Sequence, residues 1–70
     1  MTPIQAAIAA NIDALARMLE SASAMAQEAS EAAREGKLNL AIGTLTAIQN
    51  TTPEAATILA AIFALNRLDR

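Results

Sequence analysis

The chain has 70 residues, carries a net charge of −2 and contains neither Cys nor His. It therefore has no disulfide, no thiolate or imidazole metal ligand, and no histidine general base. Hydrophobic residues make up 54% of the chain, but Phe63 is the only aromatic one. The apolar content is mainly Ala, Ile, Leu and Met, most of which favour helices, so we predict a single all-α domain.

The first predicted helix is long and covers residues 3–35. Thr2 can cap it, Pro3 suits the first helical position, and Gln5 stands where a capping box places its second partner. Gly36 follows as the left-handed residue that commonly ends a helix. At 1.5 Å per residue the predicted helix is about 48 Å long.

Apolar residues recur along this helix at alternating intervals of four and three. The row consists of Ile8, Ile12, Leu15, Leu19, Ala22, Ala26, Ala29 and Ala33. Such a heptad row, resembling that of a coiled coil, is typical of a helix that packs along another helix. The row is bulky in its first half and alanine in its second half, which predicts close approach of a second helix near Gly36.

The second predicted helix covers residues 38–49 and folds back after the tight turn at residues 36–37. Its apolar residues recur at helical spacing. The predicted packing face consists of Leu38, Ala41, Ile42, Leu45 and Ile48. We expect the large side chains of this face to fill the space that the alanine half of the first helix leaves.

A break is predicted at residues 50–54, where Thr51 or Thr52 can cap a new helix that begins at Pro53. This third helix covers residues 53–68. One face consists of Ala55, Ile58, Leu59, Ile62, Leu65 and Leu68. No charge occurs between Glu54 and Arg67, and a helix that is apolar nearly all round is buried on several sides.

These three helices leave apolar surface uncovered in a single chain. The long first helix extends beyond the second, and a chain of this size buries only roughly 60% of the surface exposed on unfolding. We therefore expect a homo-oligomer, most simply a two-fold dimeric helical bundle. The predicted interface consists of Ile4, Ile8, Ile12, Leu15, Leu19, Ile58, Ile62, Phe63 and Leu65.

Catalysis and cofactor binding have no candidate residues in this sequence. Glu28, Glu31 and Glu35 cluster on the outer face of the first helix, where a solvated surface is the simpler explanation. The serines have no histidine to activate them. We predict no enzyme activity, no metal and no cofactor.

Nucleic acid and membrane are not expected partners. The five Lys and Arg residues are thinly spread, which does not match an anion-binding surface. The longest uncharged stretch, residues 38–53, is too polar and short to span a bilayer. A membrane-active helical peptide stays a minor alternative, although such peptides carry a basic face. No secretory signal pattern is visible at the N-terminus, so we expect a cytoplasmic protein.

The function that remains is protein–protein interaction without catalysis: an oligomerisation module, a small adaptor or a regulatory subunit. The alternative is a helical cofactor or inhibitor that binds a different protein through the same apolar surface.

Overall fold

In the computed structural model, which describes residues 1–69, the chain forms two helices of equal length. Helix α1 is Pro3–Arg34 and helix α2 is Leu38–Asp69, each of 32 residues. They pack against each other as an antiparallel hairpin of 52 × 18 × 11 Å. At the open end, Gln5 Nε2 donates to Asp69 Oδ2 over 3.5 Å. The all-α prediction is confirmed for residues 1–69.

The start of α1 follows the predicted capping chemistry. The Gln5 backbone N–H donates to Thr2 Oγ1 over 3.1 Å, and the Thr2 backbone N–H donates to Gln5 Oε1 over 3.2 Å. Pro3 is the first helical residue, where its missing N–H leaves no partner unsatisfied. The capping box therefore fixes the point where α1 begins.

Gly36 sets the turn between the helices, as the sequence predicts. Its φ of +78° lies in the left-handed region that only glycine adopts without strain. The backbone N–H groups of Gly36 and Lys37 donate to Ala33 and Ala32 carbonyls, over 3.1 and 2.8 Å. These bonds satisfy carbonyls that the end of α1 leaves free, so the chain reverses direction within three residues.

The predicted break at Pro53 is wrong, because α2 continues through it. The second and third predicted helices are therefore one helix, and the first is no longer than the second. A proline inside a helix removes one hydrogen bond and costs about 3 kcal/mol. Pro53 is exposed, so water can reach the carbonyl that it leaves unpaired, and packing against α1 on either side of Pro53 offsets the cost.

The residues of α1 that face α2 form one row, and the residues of α2 that face α1 form a second. We call the two rows together the hairpin seam. All are buried or half-buried. On α1 they are Ile4, Ile8, Asn11, Leu15, Met18, Ala22, Met25, Ala29 and Ala32. The predicted row shares every second member with this one, but its other members, Ile12, Leu19, Ala26 and Ala33, are exposed. The predicted packing face of α1 is thus rotated about the helix axis toward one edge of the observed contact.

The seam of α2 also alternates by three and four residues and is continuous through Pro53. Its members are Ala41, Thr44, Ile48, Thr51, Ala55, Ile58, Ile62 and Leu65. The predicted packing face of residues 38–49 is therefore partly wrong, since Leu38, Ile42 and Leu45 are exposed. Ala41 packs with Ala29 and Ala32 beside the turn instead, because the seam of the second half of α2 extends to Ala41 once the helix is unbroken.

Three polar side chains lie within the seam, and each is satisfied by its own helix. Asn11 Nδ2 donates to the Ala7 carbonyl over 2.8 Å. Thr44 Oγ1 donates to the Leu40 carbonyl over 3.0 Å, and Thr51 Oγ1 does the same four residues back over 3.1 Å. Because these bonds are local, the seam tolerates them without a cross-helix partner.

The core of the hairpin is thin. Only Ala29, Ala32, Ala41 and Ile62 are buried among residues 1–69, and each keeps 5–8% of its surface exposed. Two helices in one layer cover each other on one side only, whereas a stable domain is normally built from at least two packed layers. The single layer therefore leaves both broad faces of the hairpin open.

Candidate interaction surface

One broad face of the hairpin is formed by the residues that directly follow the seam positions. A residue one step beyond the seam is rotated to the same side of each helix. Because the helices face each other and run in opposite directions, this rotation brings both rows to the same side of the layer. We call this surface the uncharged face.

The uncharged face has two rows, and Leu38 belongs to the second because it lies one heptad before Leu45. The α1 row is Gln5, Ala9, Ile12, Ala16, Leu19, Ser23, Ala26, Ser30 and Ala33. The α2 row is Leu38, Ile42, Leu45, Gln49, Thr52, Ala56, Leu59, Phe63 and Asn66. All are exposed except Ala9, which is half-buried.

Large apolar side chains on this face are open to solvent. Ile42 exposes 64% of its surface and Phe63 exposes 55%. The other large members are also exposed, namely Ile12, Leu19, Leu38, Leu45 and Leu59. Monomeric proteins rarely leave contiguous apolar patches larger than a few hundred Å² in water, so this face is the candidate interaction surface of the hairpin.

Charged side chains of the described residues avoid this face. On α1 they occupy the sides away from it, at Asp13, Arg17, Glu20, Glu28, Glu31 and Arg34. On α2, Glu54 and Arg67 also lie off both rows. Arg34 reaches the edge, where its Nη2 donates to Ser30 Oγ over 3.1 Å. A surface free of charge loses little when water is removed, which suits an interface core.

An ion pair at the turn is too exposed to contribute much to stability. Lys37 Nζ lies 3.1 Å from Glu35 Oε2, and both side chains are 61% exposed. Exposed pairs contribute about 0–1 kcal/mol. The acidic cluster that includes Glu28 and Glu31 lies on solvated sides of α1.

The structure divides the nine residues of the predicted interface into two sets. Six belong to the hairpin seam within one chain and are at least half-buried: Ile4, Ile8, Leu15, Ile58, Ile62 and Leu65. The other three, Ile12, Leu19 and Phe63, lie together on the uncharged face. The hairpin thus covers most of the first half of α1 with the second half of α2.

Sequence reasoning did not assign Leu38, Ile42, Leu45 or Leu59 to an interface. Leu38, Ile42 and Leu45 were expected to pack inside the chain, and Leu59 to face the same way as Ile58. The signal that identifies them is their position directly after a seam residue, or one heptad before such a position. That signal becomes readable only when α2 is treated as one helix.

Two further exposed leucines lie outside the uncharged face. Leu40 and Leu68 stand at opposite ends of α2, on the side that precedes the seam. Glu54 lies between them on the same side, with Ala47 and Ala61. These leucines are isolated, and single exposed apolar side chains are ordinary.

Residues 1–69 enclose no pocket and hold no group of three or more acidic side chains arranged to bind a metal ion. Neither helix contains, over the same residues, a stretch apolar enough to cross a bilayer.

Comparison of the chain with protein-family profiles, curated proteins and solved structures gave no match in any of the three.

Proposed function

We propose that this protein is a protein–protein interaction module that binds through the uncharged face. The observation that supports the proposal is the row of large exposed apolar side chains on a face without charge. Through such a surface the protein acts as an oligomerisation module, a small adaptor or a regulatory subunit. The proposal assigns no catalysis, metal or cofactor.

The composition of the face supports a protein partner rather than nucleic acid or membrane. Nucleic-acid binding depends on Lys and Arg that neutralise phosphates, and the face has none. An interfacial membrane helix needs a basic polar side opposite its apolar side, whereas the opposite side of α1 carries both Asp13 and Arg17. We keep the cytoplasm as the proposed location.

The proposal includes the assembled state that the sequence predicts, a homo-oligomeric helical bundle. Covering the uncharged face with further helices adds the second layer that the hairpin lacks. A different protein with an apolar helical surface would meet the same requirement, as a target of a helical cofactor or inhibitor.

The test compares Phe63→Glu with Ala64→Glu. Both positions are exposed on α2, but only Phe63 lies on the uncharged face, so the two variants differ little in folding cost. We expect Phe63→Glu to lose association while Ala64→Glu keeps it, because a charge is costly inside a dry interface.

The readout is mass by size-exclusion chromatography with light scattering over a roughly hundredfold concentration range, with helicity by circular dichroism on the same samples. Equal association of both variants would reject the uncharged face as the binding surface. A helical wild-type monomer at every concentration would reject self-association. A monomer of low helicity that becomes helical on adding another protein would favour the heterologous alternative.

A further inference from the structure

We propose, building on the proposed function, that the occupant of the uncharged face is a second copy of this chain. In this dimer, α1 of each copy packs on α2 of the other, around a two-fold axis parallel to the helices. Both turns then lie at the same end of a four-helix bundle.

The area of the face matches what a stable dimer requires. The hairpin measures 52 × 18 Å across its broad side, which is a projected area of about 900 Å². Stable protein interfaces bury about 800 Å² per partner. A second copy that covers the full length of the uncharged face can therefore reach the size of a stable interface.

Charge favours this face over the opposite one for contact between copies. Glu28, Glu31 and Glu54 each directly precede a seam residue, so two copies that met through the opposite sides would take these carboxylates out of water, which is costly for an unpaired charge. The uncharged face brings no such cost. The net charge of −2 per chain stays on the outer sides of the bundle.

The two rows of the face differ in side-chain size, and this difference selects the arrangement. The α1 row is mostly Ala and Ser, whereas the α2 row carries five of the seven large apolar residues. A two-fold axis parallel to the helices places each α1 row on the partner's α2 row. A two-fold axis across the helices would place α2 on α2, large against large, and α1 on α1, which would leave gaps. Interiors pack closely, with large residues facing small ones.

The match holds at most levels of the rows, the exception being Ile12, which is close to the level of the partner's Leu59. Counted outward from the turn, where the Lys37 N–H donates to the Ala32 carbonyl, Ser30 is level with Ile42. Near the open end, Ala9 is level with Phe63. Because an axis parallel to the helices keeps each residue at its own level, the partner's Ile42 and Phe63 meet these small residues.

The middle of the face reverses the sizes and keeps the match. There the α1 row carries Leu19, one of its two large residues, and the α2 row carries Thr52 and Ala56 near the same level. A surface whose two rows alternate in opposite order is complementary to itself, which is what a two-fold interface needs.

The test uses a spin label at the turn. The chain has no cysteine, so Lys37→Cys gives a single attachment site, and Lys37 is exposed. With both turns at one end, the two labelled backbones lie little more than one helix diameter apart, roughly 10–15 Å, so two labels on their flexible arms lie within roughly 25 Å of each other. With the turns at opposite ends, the labels are separated by nearly the 52 Å length of the hairpin.

Pulsed dipolar spectroscopy measures this distance, and dilution with excess unlabelled protein is the control, since it removes the signal between copies. A short distance supports the proposed arrangement. A distance near the hairpin length, in a dimer that Phe63→Glu dissociates, overturns the arrangement and leaves the proposed function standing. Absence of any dipolar signal together with a monomeric mass overturns the second copy as occupant.

Discussion

Gly36 shows how one residue determines the hairpin. A Cβ at this position would meet nothing within 4 Å, so packing does not require glycine there. The requirement is the φ of +78°, which an L-residue adopts at a cost of about 1–2 kcal/mol. The turn therefore depends on a backbone conformation and not on a contact.

We expect Gly36→Ala to lower the free energy of unfolding by about 1 kcal/mol through this backbone strain. The matched control is Gly43→Ala, where the added Cβ also meets nothing but the residue is inside α2. That control should raise the free energy of unfolding by about 0.5–1 kcal/mol, because Ala favours helix over Gly.

Urea unfolding followed by circular dichroism, at one fixed protein concentration, measures both glycine variants. An unchanged or raised stability for Gly36→Ala would show that the reversal of the chain does not need the left-handed residue.

Helix α2 is shaped by the conflict between local sequence and packing at Pro53. The local sequence at residues 50–54 favours a break, whereas the seam on both sides favours one continuous helix. The continuous helix is observed. Nearby, the hydroxyl groups of Thr52 and Thr57 donate hydrogen bonds to the backbone carbonyls four residues earlier.

We expect Pro53→Ala to raise the free energy of unfolding by up to about 3 kcal/mol, since it restores the missing helical hydrogen bond. Pro3→Ala is the control, because Pro3 is at the first helical position and its substitution should change stability by less than about 0.5 kcal/mol. Thermal and urea unfolding of both variants test this. A destabilised Pro53→Ala protein would restore the three-helix prediction for residues 38–69.

Helix α2 also shows which features of the fold the sequence predicts and which it does not. The capping box at Thr2 and the turn at Gly36 depend on residues within a few positions of each other, and both were predictable. The seam of α2 was not, because this helix has apolar residues on nearly every side and its pattern selects no single face. Only continuity through Pro53 fixes the seam, and a local break signal concealed it.

Helix α1 illustrates a second limit of pattern reading. Its apolar stripe is wide enough to serve two surfaces, the seam through Met18 and the uncharged face through Leu19. A count of apolar spacing finds the stripe but does not divide it. As a result, two of the α1 residues predicted for the interface, Ile12 and Leu19, lie on the uncharged face, while Ile4, Ile8 and Leu15 belong to the hairpin seam of one chain.

The whole molecule is a single layer of two helices. We therefore expect its free energy of unfolding to depend on the fraction of chains that are dimeric. If two copies cover each other, folding and association are coupled and a tenfold rise in concentration stabilises the dimer by about 1.4 kcal/mol. We expect the thermal midpoint to rise with protein concentration. Added salt should change it little, because the contact carries no charge.

Thermal scans of the wild type at several concentrations, each with low and high salt, measure this dependence. The Phe63→Glu variant is the control and should have a lower midpoint that does not vary with concentration. A wild-type midpoint that is constant across concentrations would mean that the single layer is stable by itself.

The hydrogen bond between Gln5 and Asp69 places the two ends of the hairpin side by side. A protein fused before Pro3 and another fused beyond Asp69 would therefore leave the rod from the same pole. With the turns of two copies together, four such attachments would be gathered at one pole, while the other pole would present only the two bends of the chain. The dimer would then hold all four attached proteins at one end of the bundle.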